Sequence, residues 1–468
     1  MTISAPESRR RGPRANDAGP ALTPPIAQGY PLLGVLPRLL HDATGALAKM
    51  AHEKHGAVLA LPFGPVTTYL VTHPDHVDHV LQRNWRNYPK GDSMWRPVRR
   101  LIGRGLVTSD GELWQRQRRL MQPLFSARRL SELGEEMIRV IDRGLDELEA
   151  RAAQGGPVEL TREMAMISRR VILATIFGSH IEREESEALG EALLTALHQV
   201  NLRMFLYFLP ERFPLPGDEQ LRRAVLTVDE TLRRIIQRWK PAETNRVDLL
   251  SLLIEAGRAT PEDAMDQRQM RDELVTLFVA GHESTSLAMS WLFYLLDRHP
   301  EVEERVRAEL GRVVGDRPLV PGDLERLPYA RMVIQESMRL YPPAWLFFRV
   351  STEADRIGNY AIPAGATVLM SPYITQRDPA LWEEPEAFRP ERFAPERAAE
   401  QHRYAYFPFG AGPRLCIGNT FAMMEAQIIL ASMLRRFRAR LVPGHRVTAK
   451  SATGLVPREG LPMYILPA

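Results

Sequence analysis

From Asp110 to about Pro342 the chain repeats apolar residues at spacings of three and four, the pattern of helices that bury one face. On either side the period changes. Upstream, the apolar runs 57–62 and 68–72 flank Gly64-Pro65 and predict a hairpin. Downstream lie strand-like pieces at 346–350 and 367–370, a Pro-rich meander, a last helix over about 418–437 and an extended stretch near 463–466. The pattern predicts a mainly α protein with small β-sheets (α+β), and no repeat or linker divides it. Residues 1–24 are expected to be a disordered basic, Pro-rich tail, and 25–468 a single domain.

One helix stands out. Asp266 and Gln269 have capping-box spacing and Pro300 stops the run, which gives roughly 33 residues and about 50 Å. Leu274, Phe278, Gly281, Thr285 and Ala288 share one face, while Leu277, Val279, Leu287 and Trp291 make the other sides apolar. A helix apolar all round belongs in a core or a membrane. His282 and Glu283 interrupt it, and no run reaches the roughly 18 uncharged residues of a span. The helix is therefore expected to cross the protein interior with a buried acid at its middle.

Composition narrows the chemistry. With 468 residues, 44% of them apolar, the chain can bury a large core. Its 61 basic and 57 acidic residues leave only +4, which gives no support to a nucleic-acid partner. Arg9, Arg10, Arg11 and Arg14 lie in a tail with no apolar stretch for a signal or membrane anchor, so the cytoplasm is the expected location. A single cysteine, Cys416, excludes an intramolecular disulfide and any Cys-rich zinc or iron–sulfur site.

That cysteine ends a run Phe407-Pro408-Phe409-Gly410-Ala411-Gly412-Pro413-Arg414-Leu415-Cys416-Ile417-Gly418, just before the last helix. Glycines let a backbone pass close to something flat or bulky, and prolines stiffen the approach. A helix N-terminus after the sulfur favours thiolate. A lone cysteine is most often a small buried hydrophobe; the neighbours decide otherwise. Phe409, Gly412, Arg414, Cys416 and Gly418 resemble the haem-binding signature F-x-x-G-x-R-x-C-x-G of the cytochrome P450 family. In this composition the match arises by chance at roughly two in a hundred thousand. A dinucleotide loop is rejected because Leu415 stands where its third glycine belongs, and a papain-type nucleophile finds only His445 downstream.

The resemblance extends from about Pro24 to the end and implies the P450 fold, with haem b (iron protoporphyrin IX) between the long helix and the Cys416 loop. Cys416 is then the metal ligand. Glu336-x-x-Arg339 precedes Leu340-Tyr341-Pro342-Pro343, and Arg392 follows in Pro390-Glu391-Arg392-Phe393; these three resemble the family's structural charge triad. The same E-x-x-R spacing at Glu136/Arg139, Glu304/Arg307 and Glu309/Arg312 is expected to mark solvated helix pairs. Trp114, Arg118, Arg349 and Arg414 resemble the residues that serve the haem propionates, with Gly410 in the same loop.

On the long helix, Ala280-Gly281-His282-Glu283-Ser284-Thr285 resembles the oxygen-binding motif. There the resemblance implies that the glycine leaves room for dioxygen while Glu283, with Ser284 and Thr285, relays protons. Ser284 stands where the family usually has Thr, keeping the hydroxyl but losing the methyl that fixes its rotamer. Gln376 stands where many members have His, and a minor change near the haem edge is expected. His282-Glu283 also mimics a zinc-protease start, but Ser286 removes the second ligand.

The implied activity is that of an oxidoreductase: a haem-thiolate monooxygenase that uses O2 and two electrons to hydroxylate or epoxidise a lipophilic small molecule, fatty acid or terpenoid. Residues 204–209, 344–348, 454–457 and Phe278 are the expected pocket wall. Only 52 residues follow Cys416, so electrons are expected from a separate ferredoxin or flavodoxin with an NAD(P)H reductase, drawn by Arg116 and Arg119 to a monomer. The alternatives are a haem-thiolate peroxygenase or isomerase and a non-catalytic haem sensor.

Overall fold

In the computed structural model, residues 20–53, 58–92, 95–205, 213–239, 248–257 and 265–468 are described. The basic tail through residue 19 and the pocket stretch from residue 206 lie outside them. Among the described residues no helix is long and apolar enough to cross a membrane.

The helices in chain order are α1 (Leu36–Glu53), α2 (Pro74–Asp78), α3 (Arg96–Ile102), α4 (Gly111–Met121), α5 (Ala127–Ala152), α6 (Leu160–Phe177), α7 (Arg183–Phe205) and α8 (Asp218–Arg238). They continue with α9 (Leu249–Ala256), α10 (Gln267–Arg298), α11 (Pro300–Val313), α12 (Pro328–Leu340), α13 (Pro372–Thr375), α14 (Pro395–Ala398) and α15 (Asn419–Arg436). The main sheet has the order β1 (Val58–Phe63), β2 (Val66–Val71), β7 (Thr367–Met370), β4 (Phe347–Val350). Its first pair is the expected hairpin, in register from Val58 opposite Val71 to Phe63 opposite Val66. The smaller sheets pair β3 (Val158–Glu159), β11 (Pro462–Pro467) and β8 (Phe437–Leu441), then β5 (Asp355–Ile357) with β6 (Tyr360–Ile362), and β9 (Ala449–Ser451) with β10 (Leu455–Pro457).

The 32-residue α10 is the axis. Asp266 caps it, its carboxylate accepting the Gln269 N–H at 2.6 Å, while Pro300 begins α11 and ends the run. Leu274, Phe278, Leu292 and Leu296 are buried with the faces of α5, α6 and α15 in one large core. Gly281 packs against α6: a Cβ there would lie 2.6 Å from Ile172 Cδ1. The glycine thus also allows two helices to approach. The fully buried acids of α10 are Asp272 and Glu273, whereas Glu283 at the middle is half-buried.

Two of the three expected helix pairs take other partners. Glu136 and Arg139 do pair, at 2.6 Å. Arg307 instead grips Glu303 at 2.6 Å and the Phe437 carbonyl at 2.7 Å, and Glu304 pairs with Arg438. Glu309 is buried and accepts the Tyr329 and Ala330 N–H groups at 2.9 Å each, so it caps α12 from outside rather than meeting Arg312. For Glu309 the tertiary partners win because they are buried N–H groups that need an acceptor.

Candidate active site

Cys416 lies two residues before Gly418, the N-cap of α15. The loop before it is shaped by close approaches. Gly412 has φ +65, and a Cβ there would sit 1.8 Å from the Leu81 carbonyl oxygen, so only glycine fits. Gly410 has φ +71, and its N–H bonds the Phe407 carbonyl at 3.0 Å. Cys416 N–H bonds the Phe409 carbonyl at 3.0 Å, which closes the loop on itself. Phe409 is half-buried. Gly418 has an ordinary φ of −92, and a Cβ there would meet only Phe125, at 3.9 Å.

The sulfur is accessible although protein surrounds it, so it faces an interior space. Burial pushes the thiol up, while the Gly418 N–H, Arg118 and Lys90 pull it down. The expected preference for thiolate is thus outweighed by desolvation in the protein alone; a coordinating metal deprotonates a thiol outright. At the middle of α10, Ala280 is likewise accessible amid buried neighbours. Beside it, Ser284 Oγ donates to the Ala280 carbonyl at 2.8 Å. Burial raises the Glu283 carboxyl. His282 is buried, stacks on Phe278 with ring centroids 4.8 Å apart, and is pushed down to about 4, so it is neutral at physiological pH. Phe278, 1% exposed, is core rather than pocket wall.

A second feature is a cluster of cations. Arg414 donates to the Ser109 carbonyl at 2.8 Å, pairs with Asp110, and lies 3.9 Å over the Trp114 ring. Arg118, one turn beyond Trp114 on α4, donates to the Leu415 carbonyl at 2.8 Å and so touches the cysteine loop. Arg349 on β4 is buried and donates to the Phe348 carbonyl at 2.8 Å. Lys90, which motif reading missed, donates to the Val107 carbonyl at 2.5 Å and lies 4.7 Å over the Trp95 ring. Burial pushes Arg349 and Arg414 down to about 10 and Lys90 well below its usual range, with Arg349 and Arg414 repelling Lys90. Asp110 is the carboxylate that acts on Lys90, Arg349 and Arg414.

Three buried cations crowded around one carboxylate, with Arg118 close by, would cost several kcal/mol per uncompensated ion. Such a cluster fits a ligand that brings its own buried anions. The two carboxylates of a haem, with Cys416 as the soft metal ligand, meet that requirement.

The charge triad holds the frame. Glu336 and Arg339, both fully buried, pair bidentately at 2.7 and 3.0 Å, and Arg392 reaches Glu336 at 3.3 Å. Arg339 also donates to the carbonyls of Gln376, Pro385 and Ala387, pinning the meander to α12. Gln376 is fully buried: its amide donates to the Met338 and Arg339 carbonyls and accepts the Phe407 N–H at 3.0 Å. The expected minor change is therefore a staple between α12 and the start of the cysteine loop. Glu425 on α15 was also missed. It is buried beside Ser168 and Thr285, without a hydrogen bond of good geometry to either, and burial pushes it up to about 8.

An accessible cysteine beside a cluster of buried cations fits a protein that holds an anionic metal cofactor. The cytochrome P450 family profile matches residues 24–465. The chain is 34% identical to cyclooctatin synthase of Streptomyces melanosporofaciens over 432 residues, 91% of this chain and 92% of that protein. It is 31% identical to pentalenene oxygenase of Streptomyces avermitilis, covering 83% and 85%. The crystal structure of the cytochrome P450DA heme domain has the same fold, with TM-score 0.86, 23% identity, and coverage of 96% of this chain and 99% of that one. The chain belongs to the cytochrome P450 family: it is a haem-dependent oxidoreductase of the monooxygenase kind.

Proposed function

We propose that this enzyme inserts one oxygen atom of O2 into a terpenoid-like lipophile, hydroxylating a C–H bond or epoxidising a C=C bond. Electrons come two per turnover from a separate ferredoxin or flavodoxin served by an NAD(P)H reductase. The supporting observation is the similarity, over more than four-fifths of the chain, to proteins named for oxygenation of pentalenene and cyclooctat-9-en-7-ol, both polycyclic terpenoids. The reading extends to a cytoplasmic monomer whose residues 25–468 act as one catalytic domain.

When bound, haem supplies the iron at which dioxygen is activated. The chain's own residues do the rest. Cys416 Sγ ligates the metal, held by the Phe409 carbonyl, the Gly412 turn and the Arg118 contact to Leu415. Arg118, Arg349, Arg414 and Lys90 neutralise the propionates, and Trp114 backs Arg414. The Glu283 carboxyl, raised by burial, takes up a proton more readily than an exposed carboxylate and can pass it inward. Ser284 Oγ donates a hydrogen bond to the Ala280 carbonyl and keeps lone pairs free to accept another. Thr285 faces Glu425, a second reserve of protons on the α15 side.

The test is NAD(P)H oxidation by haem-loaded protein with a surrogate reductase across a panel of polycyclic terpenes. The expected result is a rise with at least one, accompanied by a product heavier by one oxygen atom. A flat response to terpenes beside a rise with fatty acids would replace the substrate class.

A further inference from the structure

The backbone between α3 and α4, residues 103–110, forms a strap whose polar groups are almost all engaged. On one side it meets α10. Arg104 N–H donates to Asp272 Oδ2 at 2.8 Å and Leu106 N–H to Glu273 Oε2 at 2.9 Å, both acceptors being buried. Two glycines permit that approach: a Cβ on Gly103 would lie 2.1 Å from the Asp272 carboxylate, and one on Gly105 2.1 Å from Thr276 Oγ1. On the other side the strap meets the cation cluster. Its Val107 carbonyl takes Lys90, its Thr108 carbonyl takes Arg99 at 2.9 Å, and its Ser109 carbonyl takes Arg414. It ends in Asp110, which pairs with Arg414 and accepts the Lys90 and Gly91 N–H groups at 3.2 Å each.

We propose that Asp272 and Glu273 are positioning residues for the charged edge of the cofactor: by gripping the strap at Arg104 and Leu106 they set the place of Asp110, and through it of Arg414 and Lys90. The proposal rests on the reading that haem binds with its propionates at that cluster. Neither acid touches the cofactor or the reacting atoms. Their effect travels through six residues of backbone cross-braced by Gln117, whose amide donates to the Arg104 carbonyl at 2.7 Å, and by Thr108, whose hydroxyl donates to the Gly103 carbonyl at 2.7 Å. Arg271 ties the same acid pair to α8, bonding Asp272 at 3.0 Å and Asp229 at 2.6 Å.

A merely space-filling role would not leave acceptors aimed at two alternate N–H groups. Burial pushes Glu273 up to about 8; the Leu106 N–H opposes this and the neighbouring Asp272 charge adds to it. At neutral pH the side chain is therefore a neutral acid that accepts through one oxygen. Glutamine reproduces that state and alanine abolishes it.

The experiment measures haem transfer from holoprotein to excess apomyoglobin, together with amide exchange at residues 104 and 106. Glu273→Ala and Asp272→Ala are expected to release haem about tenfold faster or more, the scale of one buried N–H left without its acceptor, with both amides losing protection. Glu273→Gln is expected to stay within about twofold of wild type, since its amide oxygen still accepts the Leu106 N–H. Should the alanine variants fail to fold, Gly105→Ala keeps both acids and pushes the strap off α10, and the same fast release is expected. Unchanged release in variants whose strap amides have lost protection overturns the proposal, as does glutamine releasing haem as fast as alanine. Wild-type protein that takes up no haem removes the functional reading as well, so the two failures are distinguishable.

Discussion

Replacing Glu336 by glutamine takes one negative charge from between two buried guanidinium groups and leaves the shape nearly unchanged. Arg339 is fully buried and spends two of its donors on that carboxylate, and Arg392, 7% exposed, spends one. Glu336 also accepts the Arg389 N–H at 2.8 Å, a bond the glutamine oxygen can keep. What is lost is the compensation of buried charge, which costs about 3–5 kcal/mol when one partner of a buried pair is removed. For 468 residues the entropy of unfolding is about 1 kcal/mol/K, so the holoprotein should melt about 3–5 °C lower. Arg392→Gln, which frees the more peripheral partner, should cost less than half as much. Melting followed by far-ultraviolet circular dichroism and by the Soret band should show the loss in both, because the meander that Arg339 pins leads into the Cys416 loop. A shift under about 1 °C for Glu336→Gln would refute the claim that this triad carries the frame.

Arg349→Leu removes a buried cation that lacks its own carboxylate; the haem-free protein should become about 1–3 kcal/mol more stable while haem leaves about tenfold faster, and a change of the same sign in both would contradict the propionate assignment. Glu425 titrates near 8 when folded against 4.5 when exposed, so the folded state binds the extra proton between those values and stability falls as pH rises from about 5 to 8, by up to about 1.4 kcal/mol per unit. Glu425→Gln should flatten that slope in melts taken from pH 5 to 9, leaving the part due to other buried groups such as Glu273; an unaltered slope would show that Glu425 is not the titrating group. Ser284→Ala should lower product formed per NAD(P)H by about tenfold and raise peroxide release, whereas unchanged coupling would move the relay to Thr285.

The parts of this enzyme that sequence could reveal are those whose partners are close in the chain or whose geometry demands one residue type. The Gly412 turn is such a case, since the Leu81 carbonyl leaves no room for a side chain. The Asp266 cap, the Gly64 hairpin and the Glu336–Arg339 spacing are local in the same sense. Lys90 carries no comparable mark: it meets Arg349 and Arg414 only when β4 and the cysteine loop arrive from some 260 and 320 residues away. Glu425 reads as an ordinary polar position of a helix until α6 and α10 enclose it. Gly281 carries a requirement the motif does not announce, the approach of Ile172 on α6, because spacing says that something comes near and not everything that does. Glu309 makes the same point for charges, its i+3 neighbour competing with the distant Tyr329 and Ala330 N–H groups, which are buried and need an acceptor.

The chemistry proposed for this enzyme stands on a bond between the Cys416 sulfur, as thiolate, and haem iron. The reduced, carbon monoxide-bound absorption spectrum reads that bond. A Soret band red-shifted as for a thiolate ligand is expected in the wild-type protein, and its loss in Cys416→Ala with the fold retained. A red-shifted band that survives the substitution, or wild-type holoprotein whose iron is held by an imidazole, would contradict it.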